Sequence, residues 1–279
     1  MSIELTRNKK RLLKNLFFIC LIIMYSFIIL SLVHIRQKSE KIYENLIDEA
    51  VAYQLKKSPE QLTKKDFETL ETFSITGLTT EGLKHLKKLR NLKTLNIYSS
   101  KELFKRPQNK WIVKLRSLLR VPESSKTKLI YIGSLKNLRY LQHLSLSNSN
   151  VADIKPLEQL KYLQDINLSK TQIKDIKALK KLTYLKSLNI NDTRVYDISP
   201  IANLKNLEYI GLNRTNVVDL SPLAELKNLQ TIDIRNTQIN DIGQLSNLKS
   251  LKTIYLNKQI SAEQISELQE ALPGLKIQR

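Results

Sequence analysis

The side chains whose type and spacing could carry chemistry begin with five aspartates, Asp153, Asp175, Asp197, Asp219 and Asp241, which recur every 22 residues. A recurrence that regular stacks them as a carboxylate ladder, which could serve as a cation-binding ridge. A calcium site, however, needs several oxygen ligands converging on one point, and one carboxylate per unit does not supply them. The expected role is structural: each carboxylate accepts a backbone N–H at the start of the short turn that follows it. No metal site is assigned. A second ladder, Thr171, Thr193, Thr215 and Thr237 with Ser149 before it, offers hydroxyls expected to bond the backbone of adjacent units. Other catalytic material is thin. The three histidines, His34, His85 and His143, form no H-E-x-x-H arrangement. The single cysteine, Cys20, sits in an apolar stretch and excludes an internal disulfide. With six glycines there is no G-x-S-x-G elbow and no phosphate-cradling loop. No catalytic residue and no cofactor are expected, so the chain reads as a non-enzyme.

Ladders of this kind demand a repeat to position them. Leu138, Leu160, Leu182, Leu204, Leu226 and Leu248 each open the same phrase, always 22 residues apart. The phrase reads L-x-x-L-x-x-I-x-L-x-x-T-x-I-x-D-I-x-P-L. Earlier copies start at Phe67 and Leu89, and extra residues, roughly 101–129, separate Leu89 from the copy at Leu138. Within the Leu160 copy, Ile166 and Leu168 alternate with Asp165, Asn167 and Ser169, the pattern of a half-buried strand. Ile173, Ile176 and Leu179 then fill the interior of a coil. One coil cannot bury its own apolar faces, but stacked neighbours can, with their strands in one parallel sheet.

The phrase and its constant register resemble the bacterial leucine-rich repeats of the internalin type. The resemblance implies an α/β leucine-rich-repeat solenoid with a parallel sheet on a concave face, and it points to a bacterial protein. Such solenoids bind unrelated partners, so the fold does not name one. Binding is expected on outward concave positions, with Tyr98, His143, Asp165, Asn189, Tyr209, Asp233, Arg235 and Tyr255 as candidates. The tyrosines would anchor a partner, because aromatic side chains supply contact area at low entropic cost. Both ends look capped. An amphipathic helix over 43–57, with Tyr43, Ile47, Val51 and Leu55 on one stripe, is expected to stop at Pro59. Thr63 and Asp66 resemble a capping box, and Ser261 opens a helix to about Leu272 before a last strand with Leu275 and Ile277.

Residues 16–33 carry no charge, and with Leu12 and Leu13 upstream they are long enough to span a bilayer. No small-residue cleavage site follows, so an uncleaved anchor is expected. Close to the ends of the span, five Lys or Arg residues precede it and three (Arg36, Lys38 and Lys41) follow, a bias expected to put the N-terminus in the cytoplasm and the solenoid outside, on a single-pass protein of the cell membrane. The expected organisation is a basic N-terminus (1–15), an anchor (16–33), a linker and helical cap (34–66) and a solenoid (67–279) whose C-terminal cap covers about 259–279. The net charge of +20 raises the expectation of anionic partners, although many lysines simply keep the surface soluble. The excess is densest in the insertion, where Lys105, Arg106, Lys110, Lys114, Arg116 and Arg120 surround Trp111 on a basic amphipathic pattern suited to anionic lipid or to docking. The expected function is a membrane-anchored interaction module for an unidentified protein. The alternatives are a spacer held to anionic lipid or wall polymer, and an adaptor facing the cytoplasm. A nucleic-acid partner is not expected of an exported domain.

Overall fold

The computed structural model describes residues 37, 41, 44–76, 78, 80–98 and 131–279. The expected anchor and the basic insertion, with Lys105, Arg106, Lys110, Trp111, Lys114, Arg116 and Arg120, lie outside the described residues, as does Tyr43. Among the described residues no helix is long and apolar enough to cross a membrane. The chain forms two compact units, 1–46 and 47–279. In the first, the described residues 37, 41 and 44–46 are helical. The second is a stack of coils.

Its described strands, β1 (Thr72–Thr76), β2 (Thr94–Tyr98), β3 (His143–Ser145), β4 (Asp165–Asn167), β5 (Ser187–Asn189), β6 (Tyr209–Gly211), β7 (Thr231–Asp233), β8 (Thr253–Tyr255) and β9 (Lys276–Gln278), form one parallel sheet in sequential order. The register keeps equivalent repeat positions opposite each other: Leu144, Ile166, Leu188, Ile210, Ile232 and Ile254 form one inward column. None of these six is more than 2% exposed. The neighbouring leucines of each phrase are equally buried, and each such side chain removed from water contributes about 1.5–3 kcal/mol. The insertion leaves this register intact, because β2 pairs directly with β3.

The chain leaves each of β3 to β7 through a residue with φ between 55° and 58°: Asn148, Lys170, Asp192, Arg214 or Asn236. Asn and Asp tolerate this left-handed region, whereas Lys170 and Arg214 adopt it at some cost. A ladder bond offsets that cost. The N–H groups of Lys170 and Arg214 donate to Asn191 and Arg235 of the following coils, at 2.8 and 3.1 Å. The reversal also explains a correction. The hydroxyls of Ser149, Thr171, Thr193, Thr215 and Thr237 do not bond the backbone of adjacent coils, although that of Thr237 also accepts from the Asn257 side chain of the next coil. Each donates to the carbonyl three residues back in its own coil, at 2.6–2.7 Å, because the left-handed residue folds the hydroxyl over the strand it has just left.

The aspartate ladder has the structural role. Asp153, Asp175, Asp197, Asp219 and Asp241 each accept the N–H two residues on, at 2.7–2.9 Å, where a 3-10 turn begins. Those N–H groups hold the carboxyls of Asp175 and Asp219 below the ordinary value, with Lys177 assisting the first and the Ser221 hydroxyl leading at the second. A further ladder runs along the edge where the chain enters the sheet. Asn91, Asn206 and Asn228 donate to carbonyls of the preceding coil at Glu68, Thr183 and Lys205, each at 2.8 Å.

At the N-terminal end, helix α1 runs over 44–55 with Ile47 and Val51 fully buried. It does not wait for Pro59: Lys56 turns the chain at φ 56°, and Pro59 instead opens a 3-10 turn, where its fixed φ and missing N–H cost nothing. Helix α2 (Lys64–Thr69) carries the expected capping box between Thr63 and Asp66. The Asp66 carboxyl is pulled from 3.8 to about 2, first by its bond to the Lys57 ammonium and then by Thr63. A depressed carboxyl stabilises the fold above its unfolded value and stops doing so as pH falls through its folded one. Acid titration followed by circular dichroism should therefore show an Asp66-dependent loss of stability between pH 3.8 and about 2, absent from Asp66→Asn. At the other end Ser261 caps helix α4 (Ala262–Ala271), accepting from the Gln264 N–H, and β9 closes the sheet. Between them lies the short helix α3 (Thr80–Leu83).

Candidate interaction face

The outward residues of β3 to β8 form two columns on one face of the sheet, and the residue two places beyond each strand adds a third. Their side chains are short and polar over much of that face, and two groupings of larger ones stand out. The first is a pair. His143 on β3 and Asp165 on β4 are register neighbours, with Nδ1 and Oδ2 2.5 Å apart and both side chains partly exposed.

The second grouping spans β5 to β8. Asp233 accepts from Arg235 twice, Nε to Oδ1 at 3.0 Å and Nη2 to Oδ2 at 2.7 Å. The same guanidinium lies over the Tyr255 ring, 4.7 Å from its centroid. Such a fork and stack fix a side chain that is otherwise rich in rotamers. Both protons on Nη1 and one on Nη2 stay available to a partner. Tyr209 packs alongside, with its hydroxyl next to the Asn191 side chain. Room for it comes from Gly211, where a Cβ would sit 2.8 Å from both the Tyr209 hydroxyl and Asn191 Oδ1. Burial, reinforced by the Asp233 charge, pushes the Tyr209 hydroxyl above its usual value, so it remains a donor at neutral pH. The hydrogen bonds to Asp233, and then its charge, raise the Arg235 guanidinium above its ordinary value.

The expected candidates therefore divide. Tyr209, Asp233, Arg235 and Tyr255 come together, as do His143 and Asp165. Asp233 and Gly211 are buried rather than outward in effect, because Arg235 and Tyr209 cover them. Asp233 is a holder, not a contact. Asn189 is spent on its own turn, accepting from the Asn191 N–H at 3.0 Å. Tyr98 ends β2 opposite Thr76, and its side chain lies outside the described residues. Asn257, at an outward position, is also buried: its amide donates to the carbonyl of Ile239 at 2.6 Å.

Two features carry no signal in a single repeat. One is the pairing of Asn191, an outward concave position, with Tyr209, visible only once Tyr209 is seen to fold toward it. The other is a tyrosine ladder at the sheet's entry edge. Tyr140 and Tyr162 stack with centroids 6.5 Å apart, and Tyr162 and Tyr184 lie 6.1 Å apart. The signal was present as L-x-Y-L in three consecutive repeats. Among the described residues no group of His, Cys, Asp and Glu could hold a metal ion.

Comparison with known proteins agrees with this geometry. Residues 141–181 and 227–270 match the family of Leucine Rich repeats (2 copies). No curated protein matches the chain. Among solved structures the chain is similar to internalin C2 of Listeria monocytogenes, at 26% identity and a TM-score of 0.64, over 82% of this chain and 90% of that one. It is also similar in fold to the internalin F of the same organism, at 24% identity and a TM-score of 0.61, over 84% of this chain and 67% of that one. A constant 22-residue coil, one parallel sheet and these neighbours lead to one assignment: the chain is a leucine-rich-repeat solenoid of bacterial type with internalin-like structural relatives.

Proposed function

We propose that the protein is a membrane-anchored, non-enzymatic interaction module that binds a protein partner through the outward face of its sheet. The observation that carries this reading is the pre-built anchor of Arg235, held by Asp233 and stacked on Tyr255. Arg and Tyr dominate binding energy at interfaces, and an anchor already ordered before binding loses less entropy on contact. Residues 16–33 supply the anchor, and the charge bias around them puts the solenoid outside the cytoplasm. Protease added to intact cells or spheroplasts tests that placement. Digestion of the solenoid with a cytoplasmic control protein intact supports it. Protection until lysis, with an outside-facing marker cut in the same sample, would instead make the protein a cytoplasmic-facing adaptor.

A further inference from the structure

We infer that the tyrosine ladder of Tyr140, Tyr162 and Tyr184 is a second docking surface, for an extended acidic peptide segment. The same repeat position has a different role elsewhere in the stack. In other coils it is Asn206 or Asn228, and each donates to the backbone of the coil before it. Tyrosine forgoes that bond, and all three rings stand in solvent at 57%, 51% and 55% exposure. The preceding position differs in the first two of these coils, whereas the third has Thr183 there. Lys205, Lys227 and Lys249 direct their ammonium groups onto backbone carbonyls. Exposed Arg139 and Lys161, beside the tyrosines, make no ion pair with any described residue, nor does exposed Lys186. Three successive coils thus carry an exposed aromatic ring where their sister coils carry a scaffolding asparagine. Arg139 and Lys161 precede the first two rings, Lys186 follows the third, which Thr183 precedes, and Glu68 and Glu71 stand at the Tyr140 end.

Spacing and charge select the occupant. The ring centroids advance by 6.5 and 6.1 Å. Every second side chain of an extended strand advances about 6.7 Å, whereas a polyproline helix presents the same face only about every 9.3 Å. An extended segment running along the ladder sets alternate apolar side chains between the rings. Its carboxylates then meet Arg139, Lys161 and Lys186, and its backbone meets the tyrosine hydroxyls.

The test uses the full chain in mild detergent and a short fluorescein-labelled peptide of alternating glutamate and valine, read by fluorescence anisotropy. A matched peptide of lysine and valine is the control. The acidic peptide is expected to bind and the basic one not. Replacing all three tyrosines by the residue of the sister coils (Tyr140→Asn, Tyr162→Asn, Tyr184→Asn) should weaken binding about tenfold or more while the thermal midpoint holds or rises. Arg139→Gln with Lys161→Gln should weaken it as well and flatten its salt dependence. Undiminished binding by the folded triple variant overturns the inference. So does binding of fluorescent dextran sulfate that needs the tyrosines when the acidic peptide does not bind, because the occupant is then a polysaccharide. Arg235→Ala should leave peptide binding unchanged, which separates this surface from the sheet-face anchor.

Discussion

Leu188→Ala is expected to destabilise the solenoid by about 2–5 kcal/mol. Leu188 is completely buried in β5, with Ile166 and Ile210 as its register neighbours in the coils on either side. Truncation removes apolar contact from both coil interfaces at once, and the parallel backbone ladder prevents the coils from collapsing into the space. The adjacent outward residue gives the comparison. Ser187→Ala should change stability by no more than about 0.5 kcal/mol, since its side chain packs in no core. Urea denaturation followed by circular dichroism measures both. A Leu188→Ala cost no larger than that of Ser187→Ala would mean that the stacked inward column is not what holds the coils together.

The second large effect is on binding. Arg235→Ala and Tyr255→Ala are each expected to weaken capture of the partner about 30-fold, the equivalent of about 2 kcal/mol for an interface anchor. The two substitutions are not independent. Tyr255→Ala frees the guanidinium from its stack, and Arg235→Ala leaves the buried Asp233 carboxylate without its bidentate partner. A double-mutant cycle should therefore give a combined loss smaller than the sum of the single ones. Arg235→Lys sharpens the reading. It keeps the positive charge beside Asp233 but loses the planar fork and the stack, so binding should remain well below wild type. Recovery by lysine would mean that charge alone attracts the partner.

Much of the scaffold could be read from residue types alone. A strict 22-residue recurrence puts the same residue at the same place in every coil, so Ile166 and its equivalents had to form a column. The capping box of Thr63 and Asp66 and the aspartate turns were equally legible, because each depends on neighbours within a few residues. What escaped was contact between coils and contact after a reversal. The threonine hydroxyls turned back on their own coil because of a left-handed residue that Lys170 and Arg214 do not advertise. Asp233 was read as an outward contact, and only the fold of Arg235 over it shows that it is buried. The tyrosine ladder was overlooked for the opposite reason: an exposed ring in one repeat means little, and its weight comes from three rings lined up across coils.

The central claim is that a protein is bound on the outward face of the sheet around Arg235. A photo-crosslinking amino acid at Thr231, on that face between Tyr209 and Thr253 in the register, tests it most directly when compared with one at Val218, exposed on the return run of its coil. In living cells the account predicts a discrete cross-linked partner from position 231, none from position 218, and loss of the adduct when Arg235→Ala is added. Equal capture from both positions, or an adduct at 231 that survives Arg235→Ala, would contradict it.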